Sequence, residues 1–148
     1  MKIITKNRKA YHDYFIDETL EAGIELKGVE VKSVRNGNVN LKDGWVSVNN
    51  AEAFVNNMHI GPYSHGNLWN EDPYRVRKLL LHKREITRLL GLVKQKGLTL
   101  VPLMVYFKGG RLKLEVGVCR GKKLHDKRET AKIKDMKRES ERAMKDRG

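Results

Sequence analysis

One basic run is Tyr74-Arg75-Val76-Arg77-Lys78, continued by Lys83, Arg84 and Arg88. Arginine forks and lysine ammonium groups match phosphate oxygens, and such contacts release counterions from a polyanion. The run leads into the N-terminus of a predicted helix, which also favours phosphate. The alternative is an ordinary solvated helix face. A second cluster, Asn7-Arg8-Lys9-Ala10-Tyr11-His12-Asp13-Tyr14-Phe15, interleaves basic groups with aromatics. Stacking on unpaired bases beside a phosphate backbone needs that mixture. Phe15 reads as core, whereas Tyr11, His12 and Tyr14 are open between base contact and core rim. A third cluster runs from Arg120 to Arg128. Gly121 frees the backbone there, Lys122, Lys123, Lys127 and Arg128 supply charge, and His125 offers a flat ring beside Asp126.

Patterns for catalysis are missing from the sequence. The five histidines are His12, His59, His65, His82 and His125; His59 and His65 lie in a loop-like stretch with neither HExxH spacing nor an acidic partner. Glu71 and Asp72 precede Pro73 and read as turn chemistry. Neither Gly109-Gly110-Arg111 nor Gly121-Lys122-Lys123 fits a phosphate-loop frame. The lone cysteine, Cys119, allows no internal disulfide and no multi-cysteine zinc site. It ends an apolar strand and reads as an inert buried thiol, although Arg120 follows it. The expectation is a chain with no catalytic residues, no metal, no cofactor and no small-molecule substrate. A lone cysteine fits a reducing compartment, and the cytoplasm is the expected location.

The chain of 148 residues carries 31 Lys and Arg against 18 Asp and Glu, a formal net charge of +13. A polyanion would relieve that self-repulsion. A membrane is the poorer partner, because the longest apolar runs are short (Leu79 to Leu81, and Leu100 to Met104 interrupted by Pro102). Met1 to Lys9 lacks the apolar middle of a secretion signal. Nucleic acid is therefore the expected partner. Residues 120–148 hold 12 of the basic and 6 of the acidic side chains, so nearly half of the net charge sits in the last 29 residues. Composition changes abruptly after Cys119. Residues 1–119 are expected to form one folded domain, and 120–148 a basic tail, disordered when free. Ile133, Met136, Ser140, Ala143 and Met144 fall near one helical face, so the tail can become helical on binding.

Positioning these residues requires a mixed, strand-rich scaffold. Ile86, Leu89, Leu90 and Val93 predict a helix from about His82 to Lys96, stopped at Gly97. Leu98 to Phe107 predicts a strand, Lys108-Gly109-Gly110 a hairpin loop, and Arg111 to Val118 a returning strand. Leu112, Leu114, Val116 and Val118 share one face of it, and Arg111, Lys113 and Glu115 the other. A second hairpin is expected at Trp45 to Val48, Asn49-Asn50 and Ala53 to Val55, an earlier strand over Tyr14 to Leu26, and a short helix near Glu30 to Arg35. The fold expected is mainly β with flanking helices, a small closed barrel that removes its own sheet edges.

Six stretches resemble the small protein B family, the SsrA-binding proteins of bacterial trans-translation. They are NRKAYHDYFI at 7–16, EAGIELKGVEVKSVRNG at 21–37, NMHIGPY at 57–63, RKLLLHKREI at 77–86, KGLTLVPL at 96–103 and RGKKLHDKRE at 120–129, in the family's order and spacing. The resemblance implies an oligonucleotide-binding (OB)-like barrel that binds the tRNA-like domain of transfer-messenger RNA and enters stalled ribosomes with it. It implies RNA contacts at Glu21, Leu80 and Lys113, and at Asn7, His12 and Tyr14. It also implies that His125, beside Lys127 and Arg128, stacks on small-subunit ribosomal RNA while the tail lies helical in the empty messenger channel. A carboxylate can accept hydrogens from bases or 2′-hydroxyls, which suits Glu21. Leu80 sits in an apolar triplet and is either core or contact. Asn38 departs from the family, which often has a basic residue there. Two other readings compete with this one. One is a general nucleic-acid chaperone, and the other an RNA-processing enzyme using His59 or His65.

Overall fold

Period-two alternation sets most of the architecture. In the computed structural model, which describes residues 1–62 and 72–122, the elements run β1 (Lys2–Lys6), α1 (Arg8–Asp13), β2 (Tyr14–Ile24), α2 (Gly28–Arg35), β3 (Val39–Asn40), β4 (Trp45–Asn49), β5 (Glu52–Asn56), β6 (His59–Ile60), β7 (Arg77–Leu80), α3 (Lys83–Lys96), β8 (Thr99–Lys108) and β9 (Arg111–Gly121). The chain is thus mainly β with few helices. Seven strands form one antiparallel sheet in the order β1-β8-β9-β2-β7-β5-β4, and β3 pairs separately with β6.

The β8–β9 hairpin follows the expected pattern and tightens it. The ladder continues to Lys108 opposite Arg111, so the loop is Gly109-Gly110 alone, both at positive φ. That is the demand of a two-residue turn with the twist of its strands. On β9, Leu114, Val116 and Val118 are buried, while Lys113 and Glu115 alternate with them. The β4–β5 hairpin turns one residue later than expected, through Asn50 and Ala51, both at positive φ. Helix α3 starts after His82, whose backbone N–H donates to the Glu85 carboxylate at 2.9 Å, and stops at Gly97 with φ 65°. Its Ile86 and Leu89 join the main core.

The expected closed barrel is not formed. Strands β1 and β4 are the free ends of the sheet order. The sheet curls far enough to bring β4 against β8, but no ladder joins them. Pro102 of β8 stands at this seam without an N–H to donate. Gly44, just before β4, is so close that a Cβ there would lie 3.0 Å from the Pro102 ring. The Asn7 side chain reaches across the gap: its amide donates to the Leu41 carbonyl at 3.2 Å and to the Pro102 carbonyl at 2.9 Å.

Phe15 is also corrected. It is exposed, because β2 alternates and Tyr14 and Ile16 take the inward positions. They pack against Ala10, Val101, Leu103 and Cys119. Cys119 is fully buried, and burial pushes its thiol up to about 11. The β2–β9 ladder runs on to Tyr14 opposite Gly121, two residues past Cys119.

Candidate nucleic-acid interface

Three strands distant in sequence deliver Glu21, Leu80 and Lys113 to one place. Gly23 of β2 pairs with Lys113 of β9 on one side and with Leu80 of β7 on the other. Leu80 leans over Gly23, where an added Cβ would sit 3.2 Å from the Leu80 Cβ. The side chain of Leu80 is 52% exposed while Leu79 is buried, so Leu80 is a surface residue and not part of the core. The three residues share a groove of about 750 Å³, further walled by Lys78, His82 and Lys83.

Glu21 is held in place. The Tyr106 hydroxyl donates to its Oε1 at 2.7 Å, and Lys108 Nζ donates to the same atom at 3.3 Å. Lys113 Nζ stands 4.0 Å from Oε2. The Tyr106 hydrogen bond holds the carboxyl below its ordinary range, against partial burial, with Lys108 and Lys113 adding to the effect. Burial and the same hydrogen bond push the Tyr106 phenol upward. Glu21 is therefore an oriented anion that keeps lone pairs open for an incoming donor. Tyr106 and Lys108 went unnoticed in the sequence. The hairpin register signals Tyr106: counting outward from Gly109-Gly110 pairs Lys108 with Arg111 and Tyr106 with Lys113.

The N-terminal cluster divides. Asn7 is buried, and its amide is used internally: the carbonyl oxygen accepts from the Ala10 N–H at 3.1 Å, capping α1, and the NH₂ bridges the seam. His12 is wide open, with Nδ1 2.9 Å from the Asp13 carboxylate. Tyr14 is half-buried at the end of α1. Burial, and then the Glu115 carboxylate, push the Tyr11 phenol up. Glu115 pairs directly with Glu21 across β9 and β2, so it links the α1 end to the Glu21 groove along one face.

The basic run at 74–78 is largely structural, which overturns its reading as a phosphate site. Arg77 is fully buried and Glu30 almost so. Arg77 Nε donates to Glu30 Oε2 at 2.9 Å, Nη1 to the Met58 carbonyl at 2.6 Å and Nη2 to the Pro73 carbonyl at 3.2 Å. Arg75 Nη2 donates to Glu30 Oε1 at 2.6 Å, and the Lys27 N–H closes the set at 2.8 Å. Burial alone would raise the Glu30 carboxyl, but these donors outweigh it and hold it lowered. Burial pulls the Arg77 guanidinium down, against the pull of Glu30. Lys78 pairs with Glu52 at 3.0 Å and Arg88 with Glu18 at 2.7 Å. Lys83 and Arg84 remain exposed at the start of α3.

At the tail root, Arg120 and Lys122 both lie over the exposed Phe15 ring, at 5.3 and 5.2 Å from its centroid. Arg120 also hydrogen-bonds Asp17 at 3.0 Å. Lys123, His125, Asp126, Lys127 and Arg128 lie outside the described residues, as does His65. His59 packs edge-on against the Tyr74 ring at 4.9 Å. Among the described residues, no group of His, Cys, Asp and Glu could hold a metal, and no helix is long and apolar enough to cross a membrane.

A sequence model described as SmpB protein matches residues 4–146. The chain belongs to the SmpB protein family. The SsrA-binding protein of Clostridium perfringens (strain 13 / Type A) is 60% identical over 146 residues, covering 99% of this chain and 94% of its own. That of Geobacillus kaustophilus (strain HTA426) is 56% identical over 146 residues, again covering 99% and 94%. A solved chain described as "tmRNA-SmpB: a journey to the center of the bacterial ribosome" is 51% identical, with a TM-score of 0.71, covering 88% of this chain and 92% of that one. The SmpB family binds RNA and is not a family of enzymes.

Proposed function

We propose that this chain binds the tRNA-like domain of transfer-messenger RNA, delivers it to stalled ribosomes and sets its tail in the empty messenger channel. The observation that carries this reading is the convergence of Glu21, Leu80 and Lys113, from three separate strands, on one groove. Family membership and the likeness to a chain solved with tmRNA support it. Glu21 accepts hydrogens from a base or 2′-hydroxyl, Lys113 meets phosphate, and Leu80 offers an apolar contact to a base or sugar. His12 and Tyr14 extend the surface, and Asn7 fixes α1 beneath them. The curled sheet with its open seam serves as an OB-like platform. The protein supplies binding and placement, the RNA carries the reactive group, and the site of action is the cytoplasm.

The division of labour places residues 1–119 on transfer-messenger RNA and 120–148, including Lys122, Lys123, His125, Asp126, Lys127 and Arg128, on small-subunit ribosomal RNA, the tail becoming helical there. Competition against bulk tRNA tests the first half: transfer-messenger RNA stays bound under a large tRNA excess, whereas equal competition would mean a general RNA-binding chaperone. Truncation after Lys122 tests the second. Peptide tagging on stalled ribosomes is lost while most RNA binding persists; normal tagging would refute the role of the tail.

A further inference from the structure

Leu80 and Lys113 are a ridge, not an edge. On the far side of the ridge from the Glu21 groove lies a second hollow of about 440 Å³, sharing Gly23, Leu80 and Lys113 with the first. Its volume falls within the range of about 300–1,000 Å³ common for ligand sites. Its chemistry differs from that of its neighbour. The Glu21 groove mixes Lys78, Lys83 and Lys113 with the carboxylates of Glu21, Glu52 and Glu85. The second hollow is lined by Arg35, Arg111 and Lys113 and by no carboxylate. Neither Arg35 nor Arg111 has a carboxylate partner among the described residues. The surface between these cations is apolar, from Leu26, Leu112 and Phe107. The Arg35 guanidinium lies 5.1 Å from the Phe107 ring centroid, which orients its fork.

Lys113 has the Glu21 carboxylate at 4.0 Å as a counter-charge, but Arg35 and Arg111 repel one another and Lys113, and an anion there relieves that repulsion. An apolar surface beside paired arginine forks suits a flat base attached to a phosphate. Given the reading of the Glu21 groove as an RNA site, we infer that the second hollow holds a further unpaired nucleotide of the same RNA. Its phosphate lies between Arg35 and Arg111, and its base rests on Leu26 and Phe107. Leu80 then separates two neighbouring subsites. One reads hydrogen-bond donors through Glu21, and the other holds backbone charge.

The test is a titration of transfer-messenger RNA with the full chain at several salt concentrations. Arg35→Gln with Arg111→Gln should weaken binding about tenfold near physiological salt. It should also flatten the slope of log K against log salt by about 0.7–0.9, one phosphate's worth. The corresponding lysine variants keep the slope and lose only part of the affinity. Both arginines lie outside the core, so thermal midpoints should match the parent. A parent that fails to prefer transfer-messenger RNA over bulk tRNA overturns the reading of the Glu21 groove itself. A parent with that preference, beside glutamine variants of unchanged affinity and slope, overturns the second subsite alone.

Discussion

Strands β7 and β9 flank β2 on opposite sides, and they obey opposite rules. On β9 the leucines and valines face inward, and Lys113 and Glu115 take the alternate positions. On β7 an arginine is fully buried and a leucine is half exposed: Arg77 and Leu79 point in, Lys78 and Leu80 out. A buried arginine is tolerated only if it is well partnered, and each of the three Arg77 nitrogens donates, to Glu30, Met58 and Pro73 in turn. An exposed leucine forgoes part of the roughly 1.5–3 kcal/mol that full burial supplies. Charge along a sequence therefore does not separate cations that build from cations that bind. Strand position and partnering do. Arg77 is construction, Lys113 is surface, and Leu80 has the exposure of a contact residue.

This contrast can be broken in several ways. The largest effect belongs to Arg77→Met, which leaves Glu30 with one guanidinium and takes a donor from the Met58 carbonyl, while the Pro73 carbonyl keeps the Ile60 N–H. We expect a loss of about 3–5 kcal/mol in urea unfolding, with RNA affinity per folded molecule unchanged. Its pH dependence has a definite sign. Glu30 is lowered in the fold, so its contribution is present above the ordinary carboxylate value and is lost as pH falls through the folded value. Removing Arg77 weakens that lowering and moves the acid-unfolding midpoint to higher pH. An unchanged acid midpoint would mean that the Glu30 network does not matter to stability.

Next in size is the adjacent pair of leucines. Leu79→Ala should cost about 2–5 kcal/mol by calorimetry or denaturation. Leu80→Ala should cost under about 1 kcal/mol yet weaken RNA binding. Equal costs would erase the inside-out assignment of β7. The smallest effect is Tyr106→Phe, which removes one hydrogen bond worth about 0.5–1.5 kcal/mol. It should let the Glu21 carboxyl rise toward its ordinary value, readable by carboxyl NMR titration.

Much of the scaffold was legible because it rests on local rules. The strict alternation of β9, the glycine turn before it and the Gly97 stop of α3 each announce themselves within a few residues. Alternation put Lys113 on the outward face of its strand, and the N-terminal cluster showed in its residue types, but Glu21 and Leu80 were legible only by resemblance, since they meet Lys113 through the registers of β2 with β7 and β9. Arg75 and Arg77 were misread because their partner Glu30 lies more than 40 residues away and on a helix. The open seam was hidden for a similar reason. It depends on Pro102 meeting Gly44 and on one Asn7 side chain crossing the gap. The short helix α1 has too few residues for a periodic signal and relies on its Asn7 cap. Phe15 was read as core because apolar neighbours on a strand cannot all face inward, and composition does not say which one turns out.

The proposed RNA grip lies where β2, β7 and β9 bring Glu21, Leu80 and Lys113 together. The most direct measurement is the equilibrium affinity of Glu21→Ala/Lys113→Ala for transfer-messenger RNA, beside its unfolding midpoint. The expected result is at least a tenfold loss, about 1.4 kcal/mol, with the midpoint near that of the parent. Parental affinity in a folded double variant would contradict it.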